Sequence, residues 1–114
     1  NSIGIKYTHY IHPNNKSVFA QYTILLNQRK RFQEELKSFS IPTAVHYPTI
    51  LPLQPALNRS INLEKEKNKY KNAFFSSQKV ISLPFHPWLK KSEINFIVEK
   101  IEQVISRNSL YLIE

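Results

Sequence analysis

Apolar residues recur along this chain at two periods, and the alternation between them lays out an order of strands and helices. Residues 17–26 (SVFAQYTILL) are aromatic and β-branched and are bounded by turn residues, so they read as the clearest strand. Gln21 and Thr23 fall on one of its faces, and Ala20, Tyr22 and Ile24 on the other. Phe32, Leu36 and Phe39 then follow at helical spacing, which predicts a helix over 28–39 with Asn27 as N-cap. Arg29, Lys30, Arg31, Glu34, Glu35 and Lys37 are expected on its solvent side. Residues 41–45 read as a second strand and 79–83 (KVISL) as a third, stopped by Pro84. Ser92 is the expected N-cap of a helix over 93–106, where Ile94, Ile97, Val98, Ile101 and Ile105 keep the helical period.

The remaining segments are weaker signals. Residues 1–12 read as extended, 13–16 as a turn and 85–89 as an aromatic turn. The polar stretch 58–72 is either a surface loop or the exposed start of a helix running through 73–78, and the tail SLYLIE is a final strand or a docking segment. Short strands with helices that can pack on one face predict an α+β two-layer domain, with a small, mainly antiparallel sheet covered by helices. At 114 residues, 1–114 is expected to form a single domain.

One stretch does not fit either period. Residues 41–56 (IPTAVHYPTILPLQPA) begin apolar, turn polar at His46 and Tyr47, and are then interrupted by Pro48, Pro52 and Pro55. Proline removes a backbone donor and restricts φ, so the second half is neither helix nor central strand. The pattern describes a strand that delivers a histidine and a tyrosine into a stiff loop, where binding groups commonly sit. Imidazole donates or accepts and can carry charge near neutral pH, and tyrosine offers an apolar body with one polar handle. The plainer alternative is a hydrogen-bonded structural histidine beside a tyrosine packed on the sheet.

Composition narrows the chemistry. A hydrophobic fraction of 41% argues for a globular chain, and no apolar run is long enough to span a membrane. No signal-peptide pattern is present, and the absence of cysteine excludes disulfide and thiolate chemistry, which permits a cytoplasmic setting. The net charge of +8 raises nucleic acid as a partner. The basic residues are interleaved with glutamates, however, and a single glycine leaves no RGG-type segment, so no nucleic-acid partner is expected. His9 and His12 point to opposite faces of a strand and lack a carboxylate or thiolate to complete a set, so no metal site is expected. With no aspartate, and glutamates on predicted exposed faces or at the C-terminus, no catalytic residue can be assigned. The chain reads as a binding or accessory domain, and its start at Asn1 suggests a piece of a longer polypeptide.

The segments AQYTIL (20–25), an arginine-bearing helix, SIPTAVHYP (40–48), LQPAL (53–57) and VISLPFHPWL (80–89) occur in an order that resembles the C-terminal part of the DegT/StrS sugar aminotransferases. These fold-type I enzymes use pyridoxal phosphate to install an amino group on a nucleotide-linked keto-sugar. The resemblance implies the C-terminal small domain, with the cofactor held by a large domain whose motifs are not in these residues. It implies a nucleotide-sugar and glutamate as substrates, a homodimer, and most often a place in bacterial surface polysaccharide (lipopolysaccharide O-antigen-type) synthesis. The histidine and tyrosine of the family's HYP motif match His46 and Tyr47 and imply a hold on the nucleotide-sugar; Gln54 matches the glutamine that follows. Ile50 and Pro52 stand where a second proline and a second histidine are common, so no contact from that histidine carries over. Lys71 and Phe74 likewise replace the proline and glutamate that often open the next helix.

Two competing readings make different demands. A stand-alone basic module for nucleic acid or another anionic ligand requires cations gathered on one face. An interaction domain without a ligand requires His46 and Tyr47 to be buried and hydrogen-bonded.

Overall fold

The computed structural model describes residues 6–7, 10–57 and 62–113. Three strands, β1 (Lys6–Tyr7), β2 (Tyr22–Leu25) and β3 (Val80–Leu83), form an antiparallel sheet in the order β1-β2-β3. The described helices are α1 (Arg29–Ser38), α2 (Leu63–Lys69), α3 (Lys71–Lys79) and α4 (Lys91–Arg107). This is the expected α+β two-layer domain.

Register decides which side chains meet the helices. Tyr22 pairs with Leu83, Thr23 with Ser82, Ile24 with Ile81 and Leu25 with Val80. Side chains alternate between faces, so Ile24 and Ile81 lie together on one side. There they join Phe32 and Leu36 of α1 and Ile101, Val104 and Ile105 of α4 in the main core. Leu25 and Ile50 are also buried but lie outside that cluster, which leaves Thr23, Leu25, Val80 and Ser82 to the second face.

Several expected boundaries move, each for a local reason. The strand expected over 17–26 is ordered into the sheet only at Tyr22–Leu25, because its partner stops at Leu83 and Pro84 has no N–H to extend the ladder. Residues 41–45 supply a single bridge, Ala44 to Ser82, and not a strand. Asn27 does not cap α1: Gln28 occupies that position in the left-handed region (φ 48°), and the Asn27 amide serves the C-terminal tail. Ser92 lies inside α4, which begins after Lys90, where the Glu93 carboxylate accepts from the Lys90 N–H at 2.7 Å. Of the stretch 58–72, residues 58–61 lie outside the described residues; from Leu63 onward it is helical, as two helices that meet at Tyr70 and not one, with the Asn62 side chain accepting from the Lys65 N–H. Of the extended reading for 1–12, residues 1–5, 8 and 9, His9 among them, lie outside the described residues.

α1 ends in a Schellman turn. The Ser40 N–H bonds to the Lys37 carbonyl and the Ile41 N–H to the Leu36 carbonyl, with Ser40 at φ 59°. Ile41 is thereby returned to the core beside Leu36, and the chain is aimed at the edge of the sheet.

The tail is a docking segment, not a strand. A 3-10 turn at Ser109–Tyr111 places Tyr111 in the core, edge-on to Phe32 with ring centroids 5.3 Å apart. Its hydroxyl donates to Glu35, which also faces Arg31 Nε at 3.3 Å. The Asn27 backbone and side-chain N–H groups donate to the carbonyls of Tyr111 and Leu112, and the Lys79 ammonium donates to Asn27 Oδ1. Burial, followed by the hydrogen bond and the charge of Glu35, pushes the Tyr111 phenol up from 10.0 to about 12. The stabilisation from this neutral phenol is complete below the unfolded value and lost as pH rises from about 10 to about 12. Urea midpoints should therefore fall across that window in the native chain and fall less in Tyr111→Phe; superimposable alkaline profiles would contradict the assignment.

Candidate functional site

Site geometry begins at the bridge. The Ala44 N–H donates to the Ser82 carbonyl at 3.0 Å and the Ser82 N–H returns the bond at 2.7 Å, which fastens the HYP stretch to β3. Two residues on, His46 is exposed, with Nδ1 3.4 Å from Ser82 Oγ. Ser82 is 5% exposed, and its hydroxyl also meets Thr23 Oγ1 at 2.9 Å across the strand pair. The His46–Tyr47 peptide is cis, and the two rings meet edge to face at 5.8 Å. Tyr47 is 73% exposed.

Beyond Tyr47 the chain is held by its own turn. Ile50 is buried, Leu51–Leu53 form a 3-10 turn, and Gln54 Nε2 donates to the Thr49 carbonyl at 3.2 Å. Gln54 thus closes the loop and is not among the residues lining the groove beside it. That groove, of about 590 Å³, runs between the loop and the helical segment: His46, Tyr47 and Ile50 on one side, Tyr70, Ala73 and Ser77 on the other. His46 also borders a smaller recess of about 260 Å³ shared with Thr43, Ser82 and Phe85.

Arg29, expected on the solvent side of α1, is instead part-buried and ties down the far wall. It donates to the carbonyls of Ser77 at 2.5 Å and Val80 at 3.2 Å, where α3 passes into β3. Burial lowers its pKa, but a guanidinium remains charged. Glu35 is also drawn from the expected solvent face, to Tyr111. Residue spacing carried no signal for Arg29, whose acceptors lie 48 and 51 residues away. Ser82 and the α3 wall were hidden for the same reason.

Chemically, the groove offers an imidazole, phenols and hydroxyls against aliphatic surface. It suits a ligand carrying hydroxyl or phosphate oxygens and an apolar face. Its lining includes neither a lysine amine nor a carboxylate. Pyridoxal phosphate, which needs an amine to hold its aldehyde and an acid at its ring nitrogen, does not fit the lining of this groove alone. Among the described residues, no group of three or more histidines and carboxylates could hold a metal ion, and no helix is long and apolar enough to cross a membrane. The open positions of His46 and Tyr47 run against the interaction-domain reading, which requires both to be buried.

Comparison with known proteins gives one consistent result. The chain is 41% identical over 90 residues to the UDP-2-acetamido-2-deoxy-3-oxo-D-glucuronate aminotransferase of Pseudomonas aeruginosa, across 79% of this chain and 23% of that protein. It is 36% identical over 86 residues to the pleiotropic regulatory protein of Geobacillus stearothermophilus, across 75% of this chain and 22% of that protein. The chain thus spans less than a quarter of the length of these curated relatives. Among solved structures, a DegT DnrJ EryC1 StrS aminotransferase from Brucella abortus superposes with a TM-score of 0.70 at 23% identity, covering 90% of this chain and 26% of that one. DesV of S. venezuelae, solved in complex with a ketimine intermediate, superposes at 0.73 and 23% identity, covering 89% and 26%. These likenesses establish the shared fold. The profile of the DegT/DnrJ/EryC1/StrS aminotransferase family matches residues 1–102, and the chain belongs to that family.

Proposed function

We propose that this chain is the C-terminal, substrate-facing domain of a pyridoxal-phosphate aminotransferase that moves an amino group from glutamate to the keto carbon of a nucleotide-linked sugar. The sugar carbonyl becomes an amine, and glutamate leaves as 2-oxoglutarate. The observation that carries this reading is the placement of His46 and Tyr47, exposed and side by side on the wall of an open groove. Their role is to hold sugar hydroxyls or diphosphate oxygens so that the keto carbon is oriented, a positioning task and not a proton transfer. Gln54 supports the same site by holding the loop through Thr49.

The cofactor amine and acid then come from elsewhere in the polypeptide. The named activity of the Pseudomonas aeruginosa relative makes a UDP-linked 3-keto sugar the first substrate to test. Exposed apolar side chains at the groove and the recess, Leu51 and Phe85, support docking of a larger domain on this side. A cytoplasmic homodimer serving bacterial surface polysaccharide synthesis completes the proposal.

The test uses the full-length protein supplied with pyridoxal phosphate, glutamate and a UDP-linked 3-keto sugar. Formation of 2-oxoglutarate should depend on the sugar. His46→Ala should raise KM for the sugar nucleotide by roughly tenfold, the equivalent of one lost hydrogen bond, while the reaction with glutamate alone is nearly unchanged. No sugar-dependent turnover of glutamate with any nucleotide-linked keto-sugar would refute the activity.

A further inference from the structure

We infer that Ser82 is a positioning residue for His46: its hydroxyl donates to Nδ1, holds the neutral ring as the Nε2–H tautomer, and so presents an N–H donor to the groove. The contact of Ser82 with Nδ1 rests on geometry; the choice of tautomer, like the ligand, a sugar-nucleotide oxygen, rests on the proposed function.

Ser82 is held more firmly than most hydroxyls. It sits in β3 opposite Thr23, and its backbone N–H and carbonyl are both bonded to Ala44. Its backbone is therefore fixed, and its burial keeps the hydroxyl beside the two groups it contacts. Oγ stands between Thr23 Oγ1 at 2.9 Å and His46 Nδ1 at 3.4 Å. The neighbours on this face are apolar: Leu25 is buried and Val80 half-buried. Hydroxyls on such a face are costly unless they are bonded, and here the two hydroxyls meet each other and Ser82 reaches the imidazole.

A serine hydroxyl has one proton to donate, and a neutral imidazole has one donor and one acceptor. Along these two contacts the donors can run in either direction. Either Thr23 donates to Ser82 and Ser82 to Nδ1, or the Nδ1–H donates to Ser82 and Ser82 to Thr23. The bond made at one ring nitrogen decides which nitrogen carries the proton. Because Nδ1 is turned to a buried serine on an otherwise exposed ring, Nε2 is the nitrogen left for a ligand. Sugar hydroxyls and phosphate oxygens are rich in acceptor sites, and phosphate oxygens only accept. The first direction is the one that meets them with a donor.

The experiment observes the imidazole directly. In full-length protein with 15N-labelled histidine, the Nδ1 and Nε2 shifts of neutral His46 identify the tautomer, with His46→Ala assigning the signals. The native protein should show the Nε2–H pattern, Ser82→Ala should move it toward a mixture, and Ser82→Thr should restore it. A native Nδ1–H pattern would overturn the inference without recourse to any variant, as would a Ser82→Ala spectrum identical to native. Titration with UDP provides the separate arm: Ser82→Ala should weaken binding about three- to tenfold, the range of one hydrogen bond. If the tautomer shifts as expected but UDP binding does not change, the role of Ser82 stands and the contact of His46 with diphosphate oxygens falls.

Discussion

Replacing Phe32 with alanine should cost this chain about 3–5 kcal/mol, the range for truncating a fully buried aromatic. Phe32 has no exposed surface, and its neighbours leave few ways to collapse into the space. On one side it meets the ring of Tyr111, itself fixed by Glu35 and Asn27; around it stand Leu36, Ile101 and Val104. The loss therefore reaches the tail as well as the helix, because Tyr111 depends on Phe32 for its edge-on contact. A loss of this size is a large share of the stability of a small domain. Urea denaturation followed by circular dichroism measures it, and a midpoint close to native would mean that the tail and α1 are not coupled as described.

The second large effect is expected at Arg29. One guanidinium joins α1 to two carbonyls at the α3–β3 junction, and both bonds are charge-assisted. Arg29→Ala removes both and leaves two part-buried carbonyls without their donor, a cost of about 2–4 kcal/mol. Both bonds leave the same terminal nitrogen, so Arg29→Lys should recover only a fraction, because its shorter stem and freely rotating ammonium do not hold a donor nitrogen at that fixed position. The consequence extends beyond stability. Ser77 and Val80 line the groove, so loosening this junction should also weaken UDP binding. Arg29→Ala with native stability and native UDP affinity would remove Arg29 from both roles.

Periodicity was enough to find what is decided locally. Phe32 and Leu36 announced α1, Ile101 and Ile105 announced α4, and Pro84 marked the end of β3; each is a short-range signal that the packed structure reinforces. The HYP stretch was legible as a loop because its prolines forbid the alternatives whatever surrounds them. Long-range pairings were not legible. Nothing near residues 17–21 tells them that their partner strand ends at Leu83, and nothing near Asn27 reveals that Leu112 will compete for its side chain. Arg29 looked like one more solvent-facing cation because its acceptors are brought to it only by the fold. The site divides in the same way. His46 and Tyr47 could be read from sequence, whereas Ser82, which orients the histidine, becomes visible only when β2, β3 and the loop lie side by side.

The Ala44–Ser82 bridge has a consequence of another kind. β3 lies at the margin of the sheet, and a bare margin of unpaired N–H and carbonyl groups invites a strand from another molecule. Ala44 occupies that margin at Ser82, with Pro42 and Pro84 nearby, neither of which can donate a further ladder bond. The segment that carries the exposed His46 therefore also covers this edge against pairing with a strand of another molecule. Changes that pull it away from β3 should produce aggregation together with loss of binding, so solubility would be the first visible symptom of damage at this site.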